Sequence, residues 1–171
     1  MNQPLIQTGL RYGAVGALVF ATSYIALAFV FQNPPMALPV PLHAIMLFAF
    51  IFGAAFELRS QQGKKLHFWQ GGAVGFITYC LIAVGSSLTL YLLFEYNDQV
   101  LQMEKEARLM VASTNMEQIN DYAGVEGFAQ EKIEQIKSFG ALNLAINNYL
   151  WTNLIIGLFL SIFVSFLLRK K

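Results

Sequence analysis

Long apolar stretches that are nearly free of charged residues alternate with shorter polar segments along the chain. A helix needs about 20 apolar residues to cross a hydrocarbon core of about 30 Å, and four stretches come close to or exceed this length. They predict an all-α, polytopic membrane protein with spans at residues 10–31, 40–58, 68–95 and 142–168. We therefore interpret residues 1–171 as a single integral membrane domain with an extramembrane helical insert at residues 96–141.

The second span is the shortest because prolines crowd its start. Pro39 and Pro41 lack the N–H that a helix interior uses, and proline fits best in a first helical turn. The sequence therefore predicts a tight interfacial turn over residues 32–41 and a regular helix from near Pro41. Glu57 and Arg59, at the other end of this short helix, are expected at the membrane surface.

The charged residues divide by sign among the segments that flank the spans. Three segments hold seven basic residues and the single acid Glu57: Arg11, then Arg59, Lys64 and Lys65, and finally Arg169, Lys170 and Lys171. The long segment from Glu95 to Lys137 instead holds nine acids and four bases. Because Lys and Arg near span ends mark the cytoplasmic side, we predict cytoplasmic N- and C-termini and a periplasmic insert.

The insert has the periodicity of amphipathic helices. Apolar residues recur at steps of three and four from Val100 to Met110, and Glu104 precedes Arg108 by the four residues of an ion pair. Residues Asn120–Gly124 predict a turn. We expect the third span to continue outward as a helix, turn, and return as a second helix into the fourth span. The apolar stripes of this helical hairpin either pack on each other or form a partner-binding surface.

The tetrapeptide Gly-Ala-Val-Gly occurs at residues 13–16 and again at 72–75, each time near the start of a predicted span. Small residues four apart let helix backbones approach closely in lipid, where no hydrophobic force drives helices together. The sequence therefore predicts helix-packing roles for Gly9, Gly13, Gly16, Gly71, Gly72, Gly75, Asn153, Gly157 and Ser161. The repeat also leaves open an internal duplication into two helical hairpins, related by an axis along the membrane normal.

Candidate chemistry is sparse in this sequence, and four residues are its candidate polar sites: His43, Glu57, Arg59 and His67. His43 and His67 are predicted at opposite membrane surfaces, so they cannot ligate one metal ion. The sequence contains no zinc-ligand spacing, phosphate-binding loop, dinucleotide fingerprint or nucleophile elbow. We therefore predict no catalytic residues, no cofactor and no metal site.

Three segments resemble a known family: Gly9–Leu18, Phe52–Phe76 and the charged insert before the last span. Their order is similar to that of the small four-span bacterial membrane proteins grouped as domain of unknown function 4199, which are common in Bacteroidota. The resemblance covers almost the whole chain, and Phe52–Phe76 is its most specific part. It implies a multi-pass protein of the inner membrane, and it carries over no activity and no catalytic residues.

Three functions remain open at this point. The leading hypothesis is a non-enzymatic structural or interaction component whose packing stripes associate with a second copy or another membrane subunit in the bilayer. The net charge of +1 provides no attraction to nucleic acid. A small transporter or channel is the alternative, with a midplane cavity lined by hydroxyl groups of Tyr24, Ser86, Ser87 and Ser161. An enzyme acting on lipid or envelope substrates would need a polar cluster such as Glu57 with His67.

Overall fold

The computed structural model of the protein describes residues 3–37, 40–63 and 65–169, without the side chain of Val40. Those residues form helices and connecting turns and contain no β-strand. The helices are α1 Gln3–Phe29, α2 Val40–Gln61, α3 Phe68–Tyr96, α4 Asp98–Thr114, α5 Met116–Ala123, α6 Phe128–Ser138 and α7 Trp151–Leu168. A 3-10 turn, Pro35–Ala37, precedes α2, and a π-helical segment, Asn143–Leu150, leads directly into α7.

Among the described residues, four helices are long and apolar enough to cross a bilayer. They are α1, α2, α3 and the continuous helix Asn143–Leu168 that combines the π-helical segment with α7. The prediction of an all-α membrane protein with four spans is confirmed. We call the end of the bundle near Gln3 and Leu168 the termini end, and the end from which α4 to α6 project the insert end.

The helices continue beyond the apolar stretches that predict them. α1 begins at Gln3, seven residues before the predicted span, and α2 continues to Gln61. Polar residues keep a helix going once they leave lipid, because the backbone hydrogen bonds do not depend on apolar side chains. The interfacial turn is predicted over residues 32–41. Leu38 and Pro39 of this segment lie outside the described residues.

The insert differs from the predicted two-helix hairpin, because it is separated from α3 and holds the three helices α4, α5 and α6, with Asn115 between α4 and α5. The helix breaks after α3, because Asn97 is extended and its side-chain oxygen accepts the Val100 N–H at 3.1 Å, which caps α4. The single turn predicted at residues 120–124 lies at residues 124–127, where Gly124 and Gly127 take left-handed φ angles of 66° and 85°. Asn120 belongs to α5 instead.

Glycines allow α3 to occupy the centre of the bundle, where it contacts α1 most extensively, followed by α7 and then α2. A Cβ atom on Gly13 would lie 2.8 Å from Leu81 Cβ, and one on Gly157 would lie 2.5 Å from Tyr79 Cγ. The same close approach occurs at Gly9, Gly16, Gly71 and Gly75. The small-residue stripes therefore pack inside this chain, as expected for helices in lipid, rather than facing a second copy.

The two Gly-Ala-Val-Gly segments face different neighbours. Gly13 and Gly16 lie against α3, whereas Gly75 lies against α7, where the Ser161 hydroxyl donates to the Gly72 carbonyl at 3.0 Å. The first segment thus contacts a parallel helix and the second an antiparallel one. Close approach of backbones is what the two segments share, and their surroundings are not equivalent.

We expect Gly157→Ala to destabilise the protein by about 1–3 kcal/mol, because the new methyl group would overlap the Tyr79 ring. Gly72→Ala is the matched control, since its Cβ would meet the Ser165 hydroxyl oxygen at 3.7 Å, an ordinary contact. The measurement is the free energy of unfolding in mixed detergent micelles. Equal stability of the two variants would contradict the packing role of Gly157.

Candidate functional site

Polar side chains meet inside the bundle in the half that lies toward the insert end. They come from every membrane-spanning helix: Tyr24 from α1, His43 from α2, Ser86 and Ser87 from α3, Tyr149 from the π-helical segment and Asn153 from α7. All except His43 are buried. Because lipid offers no hydrogen-bonding partner, these groups must satisfy one another.

The hydroxyl groups form a chain with a fixed direction. Ser86 donates to the Ile82 carbonyl at 2.5 Å, so its oxygen accepts the Tyr149 hydroxyl proton across 3.0 Å. Tyr149 in turn accepts from Tyr24, with 2.5 Å between the two phenolic oxygens. The tyrosine rings meet edge to face, which adds an aromatic contact to the hydrogen bond. Each hydroxyl therefore donates to the next, and the chain ends on a backbone carbonyl.

His43 joins this network through Asn153. The Asn153 amide nitrogen donates to the Tyr149 carbonyl at 2.9 Å, so its side-chain oxygen faces Nε2 of His43 as an acceptor. A neutral imidazole then carries its proton on Nε2 and leaves the lone pair of Nδ1 available. That Nδ1 lies 3.5 Å from the Tyr24 hydroxyl oxygen, whose proton points to Tyr149. His43 thus offers an acceptor to any group that approaches Nδ1.

The π-helical segment widens the last span where it reaches this network. Polar side chains donate to two of its backbone carbonyls. Ser87 donates to the Ala145 carbonyl at 2.6 Å, and the Asn148 amide donates to the Asn143 carbonyl at 3.0 Å. Such segments are frequent at functional sites.

A cavity of about 220 Å³ lies next to this network, and we call it the insert-end cavity. Its lining residues are Tyr24, Met36, His43, Arg108, Asn148, Tyr149, Thr152, Asn153 and Ile156. They belong to α1, the 3-10 turn, α2, α4, the π-helical segment and α7. Since Thr152 is exposed, the cavity reaches the protein surface.

The insert contributes one charged residue to the cavity, Arg108 of α4. Its Nε donates to Glu104 at 2.8 Å, which confirms the predicted ion pair, and an Nη atom lies 3.2 Å from the Met36 sulfur. Glu104 is 3% exposed and also accepts the Met36 N–H at 3.1 Å. These contacts fix α4 to the turn before α2 and hold the guanidinium at the cavity.

Comparison with protein families matches residues 7–170 to the family described as "Protein of unknown function (DUF4199)". The chain belongs to the DUF4199 family. This confirms the resemblance noted in the sequence. Comparisons of this DUF4199 protein with curated proteins and with solved structures found no match.

The candidate polar residues of this DUF4199 protein lie at two separate ends. His43 lies at the insert end, within the network described above. Glu57 and Arg59 lie at the termini end, where Glu57 forms an ion pair with Arg11 of α1. His67 precedes α3 there, and its backbone N–H donates to the Gln70 side chain at 3.1 Å. The contacts described for Glu57 and His67 are therefore not with each other. Each of these two residues has a structural role at the termini end.

The hydroxyl residues proposed for a midplane channel also separate. Tyr24 and Ser86 belong to the network, and Ser87 lies beside it. Ser161 lies in the termini half, against Gly72 and Gly75 of α3. A single cavity lined by all four is therefore not formed by the described residues.

The sequence pointed separately to Tyr24, His43 and Asn153, but it did not indicate that they meet at one cavity or that Arg108 and Thr152 join them there. Asn153 was expected at a helix contact, and its side chain forms a hydrogen bond between α7 and α2 that orients His43. Arg108 was expected as one half of a surface ion pair, whereas it lines the cavity. Within the described residues, no group of three His, Cys, Asp or Glu side chains is placed to hold a metal ion.

We expect Tyr149→Phe to lower the free energy of unfolding by about 1–2 kcal/mol, because the hydroxyl accepts one buried hydrogen bond and donates another. Tyr122→Phe, at a side chain that is 97% exposed, is the matched control. A double-mutant cycle with Tyr24→Phe in the same unfolding assay should show coupling between the two phenols. Strict additivity would contradict the network.

Proposed function

We propose that this DUF4199 protein is a non-catalytic binding component of the inner membrane that holds a small ligand in the insert-end cavity. The observation that carries this proposal is a cavity of about 220 Å³ whose largely apolar wall holds a few polar side chains, among them His43, Arg108 and Asn153. Binding sites are typically concave and largely apolar, with a few oriented polar groups. Five helical segments supply those polar groups here, which is the arrangement of a preformed site.

The polar groups of the network already hydrogen-bond one another, and this favours a binding role over a catalytic one. The hydroxyls of Tyr24, Tyr149 and Ser86 each donate to a fixed acceptor, and His43 Nε2 faces Asn153. A nucleophile requires an adjacent base that takes up its proton. In the described network the proton of each hydroxyl instead points along the chain toward a backbone carbonyl.

The packing below the cavity argues against the transporter alternative. Phe20, Leu47, Ile51 and Ile82 lie there with at most 2% exposure and fill the centre of the bundle. A transported molecule would need these close-packed side chains to separate. A ligand would therefore enter the cavity from one end of the bundle and be retained there rather than pass through the membrane.

The orientation in the membrane is part of the proposal. Arg11, Arg59, Lys65 and Arg169 lie at the termini end, which the positive-inside rule assigns to the cytoplasm. The insert and the cavity then face the periplasm. A ligand would reach the cavity from the periplasm or from the outer leaflet of the inner membrane.

Cysteine labelling tests this orientation in a Cys80→Ala background. We expect a membrane-impermeant maleimide to label Gln118→Cys in the insert of intact spheroplasts. Ser60→Cys, exposed at the termini end, should react only after permeabilisation. Labelling of Ser60→Cys in intact spheroplasts would contradict the proposed topology.

A cavity-filling substitution tests ligand retention. We expect wild-type protein purified from native membranes in mild detergent to release a small molecule on denaturation, detected by mass spectrometry, and Thr152→Phe to have lost it. Thr22→Phe is the matched control, because Thr22 is also exposed on a span and also donates to a carbonyl four residues earlier. Identical profiles for the wild-type protein and Thr152→Phe would contradict the proposed function.

A further inference from the structure

We propose that the ligand of the insert-end cavity carries a carboxylate or phosphate oxyanion, and that Arg108 binds it through the outer edge of its guanidinium. This inference rests on the proposed function and assigns the chemical class of the ligand. It comes from two observations: Arg108 lines the cavity, and its described contacts with Glu104 and Met36 use one edge of the guanidinium.

The guanidinium of Arg108 has donors to spare. Arginine carries five N–H donors in a planar fork. Among the contacts described for Arg108, Nε donates to Glu104 and one Nη2 hydrogen points to the Met36 sulfur, a weak acceptor. Nε and Nη2 form one edge of the plane, so the Nη1–Nη2 edge remains. Two parallel N–H groups on that edge match the two oxygens of a carboxylate or phosphate.

Glu104 orients Arg108 and also moderates its charge. The carboxylate is buried, and its two oxygens accept from Arg108 Nε and from the Met36 N–H. This arrangement holds the guanidinium plane from behind, which lowers the ordering cost of binding. Because the pair is neutral as a whole, an oxyanion is held by directional hydrogen bonds more than by net charge. Removal of the Glu104 charge should therefore strengthen binding of an oxyanion.

The remaining polar groups of the cavity identify the other part of the ligand. Thr152 lines the cavity, and its hydroxyl donates to the Asn148 carbonyl at 2.7 Å, which leaves the hydroxyl oxygen as an acceptor. His43 also lines the cavity, and its Nδ1 is assigned as an acceptor because the Asn153 oxygen places the imidazole proton on Nε2. A ligand with a hydroxyl or amino group near its oxyanion would donate to these acceptors while its oxyanion accepts from Arg108. Hydroxy acids, phosphorylated polyols and phosphoglycerol lipid headgroups share this chemistry.

The test uses the full chain in phosphatidylcholine nanodiscs, with lactate and glycerol 3-phosphate as soluble probes and phosphatidylglycerol added to the nanodisc as the lipid probe. We expect at least one probe to bind the wild-type protein, and glycerol, which lacks the oxyanion, to bind far more weakly. Calorimetry gives Kd for the soluble probes. Native mass spectrometry gives the occupancy of phosphatidylglycerol.

Two variants separate an oxyanion site from a structural ion pair. Glu104→Gln keeps the Arg108 charge, and we expect it to bind the probe about threefold more tightly or better. The double variant Glu104→Gln/Arg108→Gln removes both charges without leaving a buried carboxylate unpaired, and we expect about tenfold weaker binding or more. Lys132→Gln, on α6 and outside the cavity lining, is the matched charge control and should bind like wild type. Circular dichroism and the unfolding midpoint establish that each variant folds.

The outcomes distinguish the ligand source and the two proposals. Binding of lactate or glycerol 3-phosphate identifies a soluble ligand, and binding of phosphatidylglycerol alone identifies a lipid headgroup. Failure of all three probes, or unchanged affinity in the double variant, overturns the oxyanion assignment. If Thr152→Phe loses a retained molecule that the double variant keeps, only this inference fails. If neither variant differs from wild type in retained molecules, the proposed function fails with it.

Discussion

The described structure depends on one constraint: a polar group within the hydrocarbon layer must be satisfied by the protein itself. The network at the insert end meets this constraint by joining all four spans through hydrogen bonds. Tyr24 and Tyr149 connect the first and last spans, and Asn153 connects the last span to His43 of the second. Every buried side-chain nitrogen or oxygen in the described part of the chain has a partner. The network consequently fixes how these helices meet, as close packing does in the other half.

Close backbone packing characterises the termini half of the bundle, and polar and aromatic contacts characterise the insert half. Toward the termini end, Gly9, Gly13 and Gly75 bring backbones so near that side chains hardly fit between the helices. Toward the insert end, the rings of Tyr24, His43 and Tyr149 meet edge to face between α1, α2 and the last span. The cavity lies beside these three side chains, which form part of its lining.

The parts of the fold that depend on composition and spacing could be predicted from the sequence. A helix must have about 20 apolar residues to span lipid, so the four spans followed from hydropathy, and small residues at four-residue spacing marked the contacts of α3. Other features depend on tertiary contacts. The sequence has no signal for a π-helical segment at residues 143–150, because its turns are stabilised by partners such as Ser87, far away in the chain. Arg108 and Glu104 have the spacing of any surface ion pair.

The position of Arg108 depends on a single break in the helix. If α3 continued beyond Tyr96 without interruption, α4 would project away from the bundle, and Arg108 would lie far from the cavity. The Asn97 cap instead starts α4 in a new direction, and Glu104 then accepts the Met36 N–H from the turn before α2. The buried carboxylate thus joins the insert to the bundle at the residue that also orients Arg108. The cavity and the insert are therefore one structural unit, since the contact that fixes α4 is the contact that places a cation in the cavity wall.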